Sequence, residues 1–129
     1  MSNTTQKTLP ACPSSPNCVS SQANHTDNVH YIAPFAIKGD VDTVWETLKT
    51  TLQNQPRINI THSDEISLHA EATTRFLRFV DDLDAMLDRD AALIHIRSAS
   101  RVGYSDLGVN RNRIESLRKQ LMQQGVITS

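Results

Sequence analysis

RFLRFVDDLDAMLDRDAALIHIRSASRV, residues 75–102, admits two readings, and the architecture follows from whichever holds. In the first it is a long hairpin turning at Asp88 to Ala91, because apolar and polar residues alternate on both sides of that turn with the period of two that a half-buried strand requires. Its register can be tested on paper. With Leu87 opposite Ala92, Ala85 meets Ile94 and Leu83 meets Ile96 on one side, while Asp84 meets His95 and Asp82 meets Arg97 on the other. A slip of one residue would set Asp82 against Ile96 and is rejected; a slip of two preserves both faces and stays open. In the second reading Asp81 to Asp88 is a short helix with Leu83, Met86 and Leu87 inward.

Upstream lies RINITHSDEISLHAEATT, in which Ile58 and Ile60 alternate, a turn falls at Ser63-Asp64-Glu65, and Ile66, Leu68, Ala70 and Ala72 share one face. These are two antiparallel strands, the second showing Ser67, His69, Glu71 and Thr73 outward. Before them, DVDTVWETLKTTLQNQ carries Val41, Val44, Trp45, Leu48 and Leu52 as a one-sided helical stripe, capped by Asp40 and stopped by Pro56. Trp45, in the middle of the stripe, reads as a core residue. HYIAPFAIKG, from His30, reads as the first strand, with Pro34 marking an edge or bulge. Downstream, Asn110 to Gln124 forms a second helix with Ile114, Leu117 and Leu121 inward, Asn112 and Glu115 spaced as a capping box, and Gly125 as its stop.

At 129 residues the chain is one domain's worth, and 13 basic against 14 acidic side chains leave a net charge of -1. No global field then draws it toward nucleic acid or an anionic membrane, so any polyanion contact is local. Its longest apolar runs are too short for a spanning helix, so neither membrane insertion nor a nucleic-acid partner is expected. MSNTTQKTLPACPSSPNCVSS has neither a basic and apolar leader nor an Arg-rich amphipathic helix, which makes the cytoplasm the expected compartment. Residues 1–29 hold few large apolar side chains and are expected to be irregular, the first eight or so frayed. A single domain spans 30–125, with 126–129 as a tail. Cys12 and Cys18 allow three readings: reduced thiols in an ordered loop, favoured where no export signal is seen; a local disulfide; or a redox pair, for which the compact CxxC spacing is missing.

Three stretches, CPSSPNCVSS, TTRFLRFVDD and RSASRVGYSDLGVNR, resemble the DUF1499 family, whose name means domain of unknown function. The resemblance runs from Cys12 to about Arg118 and implies that the CPSSPNC loop is docked. It tips residues 75–102 toward the hairpin and implies no activity. The expected class is α+β: an antiparallel sheet of about five strands with two helices on one face, in the order β-α-β-β-β-β-α, as in TATA-binding-protein-like and helix-grip folds. That analogy imports neither DNA binding nor lipid binding.

Chemistry concentrates in the strand-to-helix segment from Arg97 to Arg113. Arg97, Arg101, Arg111 and Arg113 stand among Ser98, Ser100, Tyr104, Ser105, Asp106 and Asn110, where fork-shaped donors and a helix N-terminus suit a phosphate, carboxylate or sulfate. The expected ligand site is therefore Arg97, Arg101, Tyr104, Asp106, Asn110 and Arg111; the resemblance around the TTRFLRFVDD segment adds Glu71, Arg75 and Asp81 as secondary candidates. Against it stands a structural account: Asp106 and Asp81 or Asp82 neutralise the arginines, while Tyr104 and Asn110 bond loop backbone. A second candidate is the outward sheet face of His69, Glu71, Asp82, Asp84, His95 and Arg97, most simply a solvated face. As a groove it could seat a divalent ion between His69, Glu71 and His95, or act as general acid and base. A nucleophilic Cys18 would need His25 or His30 as its base. No cofactor motif or dedicated metal-ligand spacing is present, so none is expected. The functional expectations are a binding module for a small anion, an enzyme on the His and carboxylate face, or an assembly factor gripping an acidic protein partner.

Overall fold

The computed structural model describes residues 8–129. The fraying expected at the start of the chain falls mainly on residues 1–7, outside the described residues. Eight elements follow in order: β1 (Cys18–Ser20), β2 (Phe35–Ala36), α1 (Val41–Gln53), β3 (Ile58–Ser63), β4 (Ser67–Thr73), β5 (Val80–Asp88), β6 (Leu93–Ser100) and α2 (Val109–Gln123). The class is α+β. The strands make one antiparallel sheet in the order β1-β6-β5-β4-β3, with β2 also on β6.

Residues 80–88 are strand, not helix, paired with β4 on one side and β6 on the other, and their burial alternates along the whole of β5 because successive side chains point to opposite faces. The hairpin register differs by two residues from the one first drawn: Leu87 pairs with Ile94, Ala85 with Ile96 and Leu83 with Ser98. A two-residue slip keeps every side chain on its face, so patterning could not exclude it. The turn supplied the missing information. Four residues, Arg89 to Ala92, connect the strands; Ala92 takes φ 54 and the Asp88 carboxylate accepts the Ala91 N–H at 3.1 Å. No Asn-Gly or Asp-Gly pair announces that loop. The shift gives Arg97 to Asp84 as its cross-strand partner and leaves Asp82 opposite Ala99.

The expected first strand over 30–39 shrinks to Phe35 and Ala36, and the segment expected to be irregular contributes β1 instead. Both lie end to end along β6, β1 against Arg97 to Ala99 and β2 against Leu93 and Ile94. Ser21 bridges the gap between them, its N–H donating to Ile96 O at 2.9 Å and its hydroxyl accepting the Ile96 N–H at 2.8 Å. An edge that would otherwise show unpaired backbone groups is thereby closed. At the other end of the chain, residues 126–129 also pack: Ile127 joins the core and Thr128 N–H bonds Ala36 O.

Helix α1 matches its sequence pattern, with Asp40 accepting the Thr43 N–H at 2.8 Å and Val44, Trp45, Leu48 and Leu52 buried. Trp45 is a core residue whose indole N–H donates to Asp64 O at 3.0 Å. Helix α2 begins one residue earlier than expected, and the Asn112–Glu115 capping box does not form: its N-cap is Gly108 at φ 83, with no side-chain cap. Both helices press their stripes onto Leu68, Leu83, Ile94 and Ile96 in one core, so they share one face of the sheet. Each such aliphatic side chain contributes about 1.5–3 kcal/mol by leaving water.

Of the three readings of the cysteines, the disulfide holds: Cys12 and Cys18 are bonded, with Cα atoms 5.7 Å apart. The reduced-thiol expectation rested on the expected compartment, which says nothing about local geometry. The bond ties residues 8–14 back to β1, and this strap lies over the sheet face opposite the helices, where Arg97 donates to Ala11 O at 3.3 Å. Closing so small a loop contributes about 2 kcal/mol in a chain-entropy picture. Cys12→Ala is expected to lower the urea-unfolding free energy by about that amount while leaving the far-ultraviolet circular dichroism unchanged.

Candidate functional site

The polar residues of the β6–α2 connection converge on Asn110, which is fully buried. Its amide oxygen accepts from Ser98 Oγ at 2.6 Å and from Arg113 Nη1 at 2.9 Å. Its amide nitrogen reaches Asp106 Oδ2 at 2.7 Å, Ser100 Oγ at 2.9 Å and Asn17 O at 3.3 Å. Arg113 continues the network to the buried Asp81 at 2.7 Å. Asp106 does the work expected of the capping box, accepting the Gly108 and Asn110 N–H groups at 2.8 and 3.0 Å. Burial opposes its ionisation, but these bonds and the one from the Asn110 side chain outweigh it and hold the carboxyl below its ordinary value. From the N-terminal segment, Asn17 donates to Gly103 O at 2.8 Å and so fixes the middle of the connecting loop.

Above this polar floor opens a cleft of about 380 Å³ between the β4–β5 turn, Thr74 to Phe79, and the β6–α2 loop, Arg101 to Gly108. Its walls are Phe76, Leu77, Phe79, Val102, Leu107 and Val109, all exposed large apolar side chains, Leu107 at 91% and Phe76 at 84%. Single exposed apolar residues are ordinary, whereas six around one opening form a patch of the kind found at contact sites. The lining acids are engaged, Asp81 by Arg113 and Asp106 by the helix N-terminus. Arg75 also lines the cleft and, among the described residues, forms no ion pair.

The opposite sheet face carries a chain of charges. Arg101 makes a two-pronged contact to Asp82, at 3.0 and 2.9 Å, and reaches Glu71 at 2.8 Å. His69 sits between Asp82, at 3.3 Å, and Asp84, at 2.6 Å, and Arg97 stands 3.9 Å from Asp84. His69, Glu71 and Asp82 offer atoms within 4.8 Å of one another, a set with metal-ligating chemistry, but the Arg101 guanidinium already neutralises two of them. His95 does not join this set. It lies 3.0 Å from the Ser21 hydroxyl, and burial holds its imidazole below the ordinary value. A broader depression beside the strap, about 870 Å³, ends on His30, whose ring nitrogens already contact Asp27 at 2.7 Å and Ser15 O at 2.9 Å.

The six residues expected to form one anion seat therefore occupy different places. Arg97 lies under the strap, Arg101 is on the charged face, Asp106 lines the cleft, Asn110 is buried and bonded to it, and Tyr104 is exposed on the loop. Arg111 donates to Val29 O and Tyr31 O, holding the N-terminal loop. Sequence reasoning missed the apolar walls. Their signal was the unbroken Phe76-Leu77 pair and the Val102 and Leu107 side chains standing in loops where polar residues are the norm. It was overlooked because residues 75–79 were read as part of the strand.

The described residues thus form an α+β domain of two helices and six strands, with a disulfide-tethered strap on the far face. The chain belongs to the family described as protein of unknown function (DUF1499), whose model matches residues 8–121. No curated protein matches the chain. Among the described residues, no helix is long and apolar enough to cross a membrane.

The buried network and the charged face differ in energetic weight. Asn110→Ala, which strips a buried network of its shared partner, is expected to cost about 3 kcal/mol in urea unfolding. Arg101→Ala, on a side chain 44% exposed, is expected to cost much less, because water screens its ion pairs. Hydrogen bonding to Arg101 holds the Asp82 carboxyl below its ordinary value of 3.8. A depressed carboxyl adds stability above its unfolded value and loses it as pH falls through the folded one. The gap between wild type and Arg101→Ala should thus be full at neutral pH and close below pH 3.8.

Proposed function

We propose that the protein is a binding module for a small amphipathic anion, held in the cleft between the β4–β5 turn and the β6–α2 loop. The observation that carries this reading is the ring of six exposed apolar side chains around an opening whose floor is a closed polar network. Such an opening suits an aliphatic chain, because covering its walls removes apolar surface from water. Arg75 at the rim supports an anionic head group, since the acids beside it are already engaged. The anionic head group thus falls to Arg75, a secondary candidate in the sequence, across the cleft from the strand-to-helix loop on which the sequence centred the site.

The Cys12–Cys18 bond supports an oxidising compartment over the expected cytoplasm. If so, protein extracted from its native host under alkylating, non-reducing conditions carries no label on either cysteine by mass spectrometry, whereas a cytoplasmic pool carries two.

Titration calorimetry with decyl phosphate below its micelle concentration tests the cleft. Wild type is expected to bind, Val102→Asp to lose binding, and Arg75→Ala to bind about tenfold more weakly through loss of a charge-assisted contact. Absence of heat with wild type, or undiminished binding by Val102→Asp, would rule the reading out.

A further inference from the structure

We infer that the cleft-bearing end of the molecule docks peripherally on an anionic lipid bilayer, with the tips of both loops entering the headgroup region. This deepens the binding reading by naming the source of the amphipathic anion. It depends on the rim of the cleft and not on its floor.

The rim projects Phe76, Leu77, Val102 and Leu107 toward solvent from two loops at one end of the sheet, and Tyr104, on the same loop as Val102, is likewise exposed. Burying such side chains at the boundary between headgroups and acyl chains is favourable in proportion to their apolar area. Tyr104, with an apolar ring and a polar tip, suits that boundary.

Charge selects the bilayer's composition. The turn TRFLRF carries Arg75 and Arg78 on either side of Phe76 and Leu77 and no acid. Among the described residues neither arginine forms an ion pair. In the facing loop, Arg101 turns to Glu71 and Asp82, and the Asp106 carboxylate turns inward to the start of α2. What remains facing outward is apolar surface and positive charge. Long arginine side chains can reach lipid phosphates while the rings between them go deeper, whatever the lateral spacing of the lipids. A folded protein partner would instead need acids at fixed positions.

Sedimentation with vesicles tests this. The wild-type protein is expected to bind equimolar phosphatidylglycerol–phosphatidylcholine vesicles about 30-fold more tightly than pure phosphatidylcholine, the contribution of two arginines near an anionic surface. Leu77→Asp and Arg78→Glu, both exposed, should each weaken binding with the melting temperature unchanged. No sedimentation with the anionic vesicles, or sedimentation that neither substitution reduces, overturns the proposal. So does a dimer in analytical ultracentrifugation that Leu77→Asp dissociates while vesicles are ignored, since the patch then belongs to a second copy. Decyl phosphate binding without vesicle binding overturns docking and leaves the binding module standing. Vesicle binding without decyl phosphate binding supports docking and removes the cleft reading.

Discussion

A single buried amide, that of Asn110, is the constraint from which most of the molecule's polar architecture follows. An amide removed from water must find its partners inside the protein, and these are drawn from four separate parts of the chain: the Asn17 backbone, the Ser98 and Ser100 hydroxyls of β6, the Asp106 carboxylate and the Arg113 guanidinium. Satisfying it therefore places the N-terminal segment, the last strand, the connecting loop and the second helix relative to one another. Apolar packing alone would fix the helix on the sheet but leave the loop free to wander. With the network closed beneath it, the loop can hold Val102 and Leu107 out in water, opposite Phe76 and Leu77, without collapsing onto them.

The same economy governs β6. One side of this strand pairs with β5 over its whole length, and the other is divided among β1, Ser21 and β2. Three small contributors replace one long edge strand. The other edge of the sheet, β3, is managed differently: its pairing with β4 is interrupted by an irregularity between Ile60 and His62, which spoils the flat ladder another strand could join. Charges on the face away from the helices are likewise matched in series, from Glu71 through Arg101, Asp82, His69 and Asp84 to Arg97.

Elements with many residues in a strong period were legible before any coordinates: the stripe on α1 with its Asp40 cap, the β3–β4 pair, and the faces of β5 and β6. What escaped was set by information that periodicity does not carry. The register of the β5–β6 hairpin depended on a four-residue turn closed by Ala92 at positive φ, a residue with no reputation for that conformation. β1 is too short to show a pattern, and its place comes from a partner some eighty residues away. The arginine cluster was visible as composition, but which arginine meets which acid is a tertiary fact: Arg113 went to Asp81, Arg101 to Asp82, and Arg111 to backbone carbonyls. The apolar rim is written plainly in Phe76-Leu77, but those residues extend the apolar run leading into β5, and only the turn that ends at Val80 separates them from it.

The distance along the chain between β1 and its partner also orders events in time. Residues 18–20 emerge early in synthesis, yet the strand they complete, Arg97 to Ala99, comes much later, and such non-local pairing is slow to form. Because the Cys12–Cys18 bond ties residues 8–14 to β1, the pairing that closes the sheet's last edge also brings the strap over the charged face.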